Sequence, residues 1–310
     1  MSTASEFTGS IPDIYHACLG PLLFEPYAAD LVARVRRCLL SYSSAPAGAP
    51  GPRVLELACG TGIVTKHLLA ALPPGGTLVA TDLNTAMLDV ARRYVGAGAP
   101  ANAGADGAKG RAEGAARLTF QQADACKLPF PDGSFDLIVA QFGVMFFPDK
   151  VAAMREARRV LAKAVPNDAY DRGQARESGR YLFNVWDSLD HNPIPATVQA
   201  TLESLLPANP PRFLAQTPYG WHDRATIEST VRAGGFATVT LEAVTFPSQS
   251  PSAADAARGL IDGTPNLVAL SERGITDTAP IRAAASQRLA ERLGDSPCRS
   301  IMRAVVVEAS

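Results

Sequence analysis

A chain of 310 residues, 47% of them apolar, has room for one large α/β domain or two small ones and enough apolar material for a sizeable core. Its formal charge is −1 with no polybasic block, which argues against a nucleic-acid backbone or an anionic membrane as the main partner. No apolar run approaches the roughly 20 residues of a membrane span, and the first residues lack the basic and apolar regions of a signal peptide, so a cytoplasmic protein is expected. Five scattered cysteines without C-x-x-C spacing read as reduced thiols. The four histidines lack metal-ligand spacing, so no metal site is expected.

In chain order, residues 1–50 read as a helical cap. Tyr27, Leu31, Val32, Val35 and Leu39 recur at helical spacing, and Pro26 suits a first turn. A loop at 43–52 precedes a strand at 53–57. A small-residue turn then leads into a helix from Thr61, with Val64, Leu68, Leu69 and Leu72 on one face, closing near Pro73. A second strand at 77–81 is followed by a helix at 85–95 carrying Met87, Leu88, Ala91 and Tyr94. Residues 96–116 contain no bulky apolar side chain and are expected to form a mobile surface loop. Strands at 118–121 and 135–140, a helix at 149–161 and a polar, loop-like insertion at 166–179 come next, then a strand at 180–186. Beyond it the pattern predicts a helix around 196–206, a helix at 226–233 closed by Gly234-Gly235, and a strand at 238–246. Two helices over 252–294, broken at Gly263-Thr-Pro265 and near Gly274, precede a last strand at 299–308.

The informative segment is Val54-Leu-Glu-Leu-Ala-Cys-Gly-Thr-Gly62, followed by Val79-Ala-Thr-Asp82. Strand, tight turn and helix make the nucleotide-binding corner of an open parallel sheet. Gly60 and Gly62 lack a Cβ, so a ligand can approach the backbone there. Asp82, at the end of the next strand, suits a ribose diol; its alternative role is to cap the following helix. A dinucleotide site would use G-x-G-x-x-G and bare N–H groups facing a pyrophosphate. Here no third glycine follows at the right place, and Glu56 would repel a diphosphate while attracting an ammonium. A ligand with ribose and adenine but positive charge fits: S-adenosylmethionine, with S-adenosylhomocysteine as the product.

Residues 53–190 resemble the class I S-adenosylmethionine-dependent methyltransferases, particularly the small-molecule group that includes the ubiquinone/menaquinone-biosynthesis enzymes. The resemblance rests on the two segments above with Leu83-Asn-Thr-Ala-Met87, on Gln122-Ala-Asp124-Ala-Cys-Lys-Leu-Pro-Phe-Pro-Asp-Gly-Ser-Phe-Asp136, and on Val139-Ala-Gln141-Phe-Gly-Val-Met-Phe-Phe-Pro148. The flanks Gly9-Ser-Ile-Pro-Asp-Ile-Tyr15, Gly20-Pro-Leu-Leu-Phe-Glu-Pro-Tyr27 and Pro210-Pro-Arg-Phe-Leu-Ala-Gln-Thr-Pro218 are similar to a bacterial subgroup of that family. The resemblance implies an α/β, Rossmann-like fold. It has a seven-stranded, mostly parallel sheet whose antiparallel last strand slots between strands five and six. With no internal repeat and no clean linker, the chain is expected to be a single methyltransferase domain spanning 1–310. Its parts are an N-terminal helical cap (1–52), a cofactor-binding core (53–190), an acceptor-side helical region (191–235), and C-terminal strands with a helical insertion (236–310).

The expected cofactor site gathers Glu56, Ala58, Gly60, Thr61 and Gly62 beneath the methionine and ribose, with Asp82 on the ribose hydroxyls. Leu83 and Met87 are candidates to pack on adenine, although Met87 is equally an ordinary core residue. Asp124 and the Ala125 N–H suit the adenine edge, with a turn-forming Asp as the plain alternative. Gln141 and Phe142 face the methionine end or simply pack the loop. Tyr15 contacts the carboxylate tail or packs by its ring.

The sulfonium methyl is already an activated electrophile. Alignment of acceptor, methyl and sulfur is therefore the main demand, and such orientation can contribute roughly 7–11 kcal/mol. A general base is needed only if the acceptor must lose a proton. His222 is the first candidate and His191 the second; His16 and Asp187 are further possibilities. Phe24, Phe146, Phe147, Trp186, Phe213, Tyr219 and Trp221 suggest a small, aromatic or apolar acceptor. The competing reading is a cofactor-binding protein without transfer activity, regulatory or sensing. A nicotinamide-dependent oxidoreductase is disfavoured by Glu56 and the missing glycine. A nucleic-acid methyltransferase is disfavoured by charge and by the absence of an Asn/Asp-Pro-Pro-Tyr/Phe motif.

Overall fold

The computed structural model describes residues 7–43, 50–96, 115–164 and 178–310. Most of the two insertions expected to form surface loops, 96–116 and 166–179, and most of the loop expected at 43–52 lie outside the described residues.

Seven strands form one sheet in the order β3-β2-β1-β4-β5-β7-β6. They are β1 (Arg53–Glu56), β2 (Thr77–Asp82), β3 (Arg117–Gln122), β4 (Leu137–Gln141), β5 (Arg180–Trp186), β6 (Val239–Ser250) and β7 (Cys298–Ala309). The first five pair in parallel, while β7 runs antiparallel between β5 and β6. The resemblance implied this insertion. Leu55 lies between Val79 and Ile138, so β1 and β4 are the central neighbours at which strand order reverses. Their short apolar runs are almost wholly buried, as central parallel strands require, whereas the edge strand β3 is half exposed.

The helices are α1 (Ile11–Ile14), α2 (Glu25–Cys38), α3 (Leu40–Ser43), α4 (Ile63–Ala71), α5 (Thr85–Gly96), α6 (Lys150–Val160), α7 (Pro193–Leu205), α8 (Phe213–Gln216), α9 (Arg224–Ala233), α10 (Ala253–Asp262), α11 (Asn266–Ser271) and α12 (Ala279–Leu293). Within the cap a π-helical stretch, Tyr15–Phe24, joins α1 to α2. Such widened turns are uncommon and often occur at functional sites. Tyr27, Leu31, Val32 and Val35 form the buried stripe of α2. Residues 252–294 hold three helices rather than two, because both predicted breaks, at Gly263 and near Gly274, separate helical segments.

Helix starts follow local capping chemistry. Asp149, Asp223 and Ser252 accept N–H bonds from Ala152, Thr226 and Asp255 at the starts of α6, α9 and α10. Helix α4 begins at Ile63, two residues later than expected, because Gly62 is left-handed at φ +85°. Among the described residues, no helix is long and apolar enough to cross a membrane.

Candidate functional site

The sheet's reversal point opens onto a cavity at the carboxyl ends of β1, β2 and β4, where open α/β folds bind ligands. Glu56, Ala58, Gly60, Thr61, Asp82, Leu83, Met87, Asp124, Ala125, Gln141, Phe142 and Tyr15 all line it. Of the expected cofactor residues, Gly62 does not. A Cβ on Gly62 would lie 3.0 Å from both Ala91 Cβ and Val95 Cγ2, so this glycine lets α4 approach α5 closely. Among the described residues, a Cβ on Gly60 would meet nothing within 4 Å, which leaves its backbone open to a ligand.

Asp82 is 8% exposed and holds the loop together. Its Oδ2 accepts the Gly60 N–H at 2.8 Å, and its Oδ1 accepts the Asn84 N–H at 2.8 Å. The cap of α5 is Asn84, whose Oδ1 accepts the Ala86 N–H at 2.9 Å. Asp82 is therefore not the cap of that helix. Burial raises its pKa, against the pull of these N–H donors.

Glu56 is 1% exposed. Burial, together with the Asp82 charge, pushes its pKa up to about 8; the nearby Thr65 hydroxyl opposes the rise. Even so, neither Glu56 Oε2 nor Thr65 Oγ1 meets a partner at hydrogen-bonding geometry among the described residues. A buried acid with an unmet oxygen suits a cationic ligand group, beside which it ionises, and offers a phosphate no positive partner.

The remaining residues divide between wall and scaffold. Asp124 is exposed at the rim, and its Oδ1 accepts the Cys126 N–H, so it does form the turn considered above. Met87 belongs to a small apolar cluster with Phe7 and Ile11 as well as to the cavity wall. Gln141 Nε2 donates to the Phe24 carbonyl at 3.1 Å, tying the cap to β4. Phe142 is left-handed at φ +51°, and its N–H donates to Asn184 Oδ1 at 3.0 Å. Ala58 is also left-handed, at φ +50°. Two non-glycine residues in this conformation, both on the cavity wall, mark local strain at the site. Gly143 is required beside them, since a Cβ there would come within 2.5 Å of Ala58 Cβ.

A second cavity adjoins the first, and Phe7, Tyr15, Phe24, Phe142 and Phe146 line both. Its remaining wall includes Trp186, Phe213, Tyr219, Leu260 and Thr264. Phe142 stacks on Trp186 at 3.6 Å, and Tyr15 stacks on Phe24 at 5.0 Å. The sequence reading named most of these aromatics and expected the acceptor pocket from residues 15–27, 186–222 and 252–275, which hold Leu260 and Thr264, but it missed Phe7. Phe7 is a lone aromatic whose only sequence signal was its apolar character near the cap.

None of the histidine candidates lines either cavity. His222 Nδ1 lies 2.8 Å from the Tyr219 carbonyl, which requires a proton on Nδ1 and makes the ring a brace for that turn. His191 Nδ1 lies 3.1 Å from Ser188 Oγ and 3.5 Å from Asp187 Oδ1. Asp187 also pairs with Arg303 at 3.1 Å, a contact that joins the end of β5 to β7. His16 Nδ1 lies 3.0 Å from Thr61 Oγ1 and links the π-helical cap to the loop after β1; burial lowers its pKa.

This sheet order, with its reversed seventh strand and an acid-lined cavity after β1, defines a class I S-adenosylmethionine-binding fold. A family profile described as "Methyltransferase domain" matches residues 55–164. The chain is 31% identical over 207 residues to the ubiquinone/menaquinone biosynthesis C-methyltransferase UbiE of Ectopseudomonas mendocina (strain ymp), covering 63% of this chain and 69% of that protein. It is 37% identical over 136 residues to a demethylmenaquinone methyltransferase of Thermus thermophilus, covering 44% of this chain and 52% of that one. Among solved structures, the YcgJ protein of Bacillus subtilis matches with a TM-score of 0.51 at 16% identity, covering 91% of this chain and 97% of that one. The phosphoethanolamine N-methyltransferase 2 of Haemonchus contortus, solved with S-adenosyl-L-methionine, matches with a TM-score of 0.52 at 14% identity, covering 100% of this chain and 60% of that one. The chain belongs to the class I S-adenosylmethionine-dependent methyltransferases. It is an enzyme that uses S-adenosylmethionine to methylate a small-molecule acceptor.

Proposed function

We propose that the first cavity holds S-adenosylmethionine and the second holds a largely apolar, ring-bearing acceptor, with methyl transfer across their shared wall. The observation that carries this is the junction itself, because Tyr15, Phe24 and Phe142 belong to both cavities. In this reading Asp82 accepts from the ribose hydroxyls while its oxygens keep the Gly60 and Asn84 N–H groups. Glu56 answers the positive charge of the cofactor's amino acid end. Gly60, Ala58 and Thr61 lie under the methionine, Leu83 and Met87 pack on adenine, and Asp124 and Ala125 border its edge. Gln141 anchors the cap that covers the site.

The cofactor supplies an activated methyl group when bound. The chain's own residues orient the acceptor and exclude water, and stacked aromatics suit both tasks. The second cavity has no Asp, Glu, His or Lys among its lining residues. Burial raises the pKa of both Tyr15 and Tyr219, so neither is a ready base near neutrality. The acceptor must therefore arrive nucleophilic, and in this aromatic, uncharged cavity an electron-rich ring carbon or a readily ionised ring oxygen suits best. Two of the relatives bear names tied to ubiquinone or menaquinone synthesis, which agrees with a ring-bearing acceptor.

The test is formation of S-adenosylhomocysteine with a panel of phenols, enols, amines and thiols. Turnover confined to phenols or enols supports the reading, and turnover with aliphatic amines alone contradicts it.

A further inference from the structure

The second cavity is walled almost entirely by carbon, and its few polar groups stand out. The Thr264 hydroxyl donates to the Leu260 carbonyl at 2.8 Å and is satisfied. The Tyr219 hydroxyl is not satisfied: Tyr219 is 3% exposed and its Oη has no hydrogen-bond partner among the described residues. Other buried polar atoms share that state, Tyr181 Oη among them, but Tyr219 is the one on this cavity's wall.

The rest of Tyr219 is held firmly. Its N–H donates to the Leu214 carbonyl at 3.0 Å, its carbonyl meets His222 Nδ1 at 2.8 Å, and its ring stacks on Trp186 at 5.9 Å and 24°. A buried hydroxyl without a partner is a cost to the fold, and phenylalanine would remove it without changing the ring. A tyrosine fixed this well, whose ring lines the cavity and whose buried hydroxyl is unspent, fits a group that binds rather than one that packs.

We propose that the Tyr219 hydroxyl donates a hydrogen bond to an oxygen of the acceptor and so determines specificity for oxygen-bearing rings. This rests on the second cavity being the acceptor's. Burial, reinforced by the nearby Tyr15 and Tyr27 hydroxyls, raises the Tyr219 pKa, which keeps the phenol neutral and able to donate. The Tyr27 hydroxyl is already committed to the Met302 carbonyl. Tyr15 is the second phenol on the wall.

The test compares 1-naphthol with naphthalene by calorimetry on full-length protein saturated with S-adenosylhomocysteine, in wild type and Tyr219→Phe. The expected result is a fall of about three- to tenfold in the naphthol-to-naphthalene affinity ratio, the range for one hydrogen bond. Naphthalene and S-adenosylhomocysteine affinities should stay within about twofold, below the effect of one such bond. Tyr219→Phe should also raise the thermal midpoint of the unliganded protein. An unchanged ratio overturns the inference and leaves the acceptor cavity standing. A lowered midpoint or failure to fold overturns it too, because the hydroxyl would then have a structural partner. If S-adenosylhomocysteine binds but neither probe does, the acceptor-cavity reading falls and takes the inference with it.

Discussion

Glu56 and Asp82 end adjacent parallel strands and bury two carboxylates on one cavity, where the Asp82 charge helps raise the Glu56 pKa to about 8. Asp82 spends its oxygens on backbone N–H groups, while Glu56 Oε2 has no partner among the described residues. One acid shapes the loop and the other awaits a cation.

Cofactor binding should therefore move a proton. Near pH 7 Glu56 retains its proton in the protein alone, and a positive ligand restores the carboxylate. Titration calorimetry in buffers of different ionisation enthalpy should show release of up to about one proton per S-adenosylmethionine bound. In Glu56→Gln that release should vanish and affinity should fall.

The same shift sets a pH dependence of stability. The unfolded chain loses the Glu56 proton near the ordinary glutamate value, whereas the native protein keeps it to about 8. The native state thus binds more protons between these values, and stability from this group falls as pH rises through that window. Glu56→Gln should raise the thermal midpoint of the unliganded protein more at pH 9 than at pH 5.

Asp82→Ala removes the acceptor of both the Gly60 and Asn84 N–H groups. Cofactor binding should weaken by about 1–3 kcal/mol, the usual loss for a buried polar partner, as read by calorimetry. Unchanged affinity would count against the ribose assignment.

The two loop glycines should separate on alanine substitution. Gly62→Ala meets Ala91 and Val95 at a left-handed position and should cost about 1–3 kcal/mol of stability in denaturant unfolding. Gly60→Ala points a methyl into open space, so its stability loss should be smaller and its loss of cofactor affinity larger. The reverse order would show that Gly62 is the ligand contact.

The cofactor corner was legible because its signals are local. Glu56, Gly60 and Asp82 lie within one strand-turn-helix unit and the strand that follows it, where period and turn chemistry identify the elements. The placement of β7 was legible only through the resemblance, since pairing across the chain leaves no local mark. Gly62 does not line the cavity, a distinction the sequence hides because a glycine that admits a helix and one that admits a ligand look alike there. The difference lies in Ala91 and Val95 behind it. The second cavity was legible as aromatic content and as three contributing segments, 15–27, 186–222 and 252–275, but not as a set of touching side chains. Its wall joins Phe7 and Tyr15 to Trp186, Tyr219 and Thr264, and such residues are indistinguishable from core until the chain folds. His222 drew notice as a chemical residue, but its bond to a carbonyl three residues away gives it a local structural task.

The most direct measurement is a crystal structure of the complex with S-adenosylhomocysteine. The account predicts the ribose diol on Asp82, the amino group toward Glu56 and the sulfur facing the second cavity past Tyr15 and Phe142. A nucleoside bound elsewhere, or a sulfur pointing away from the second cavity, would contradict it.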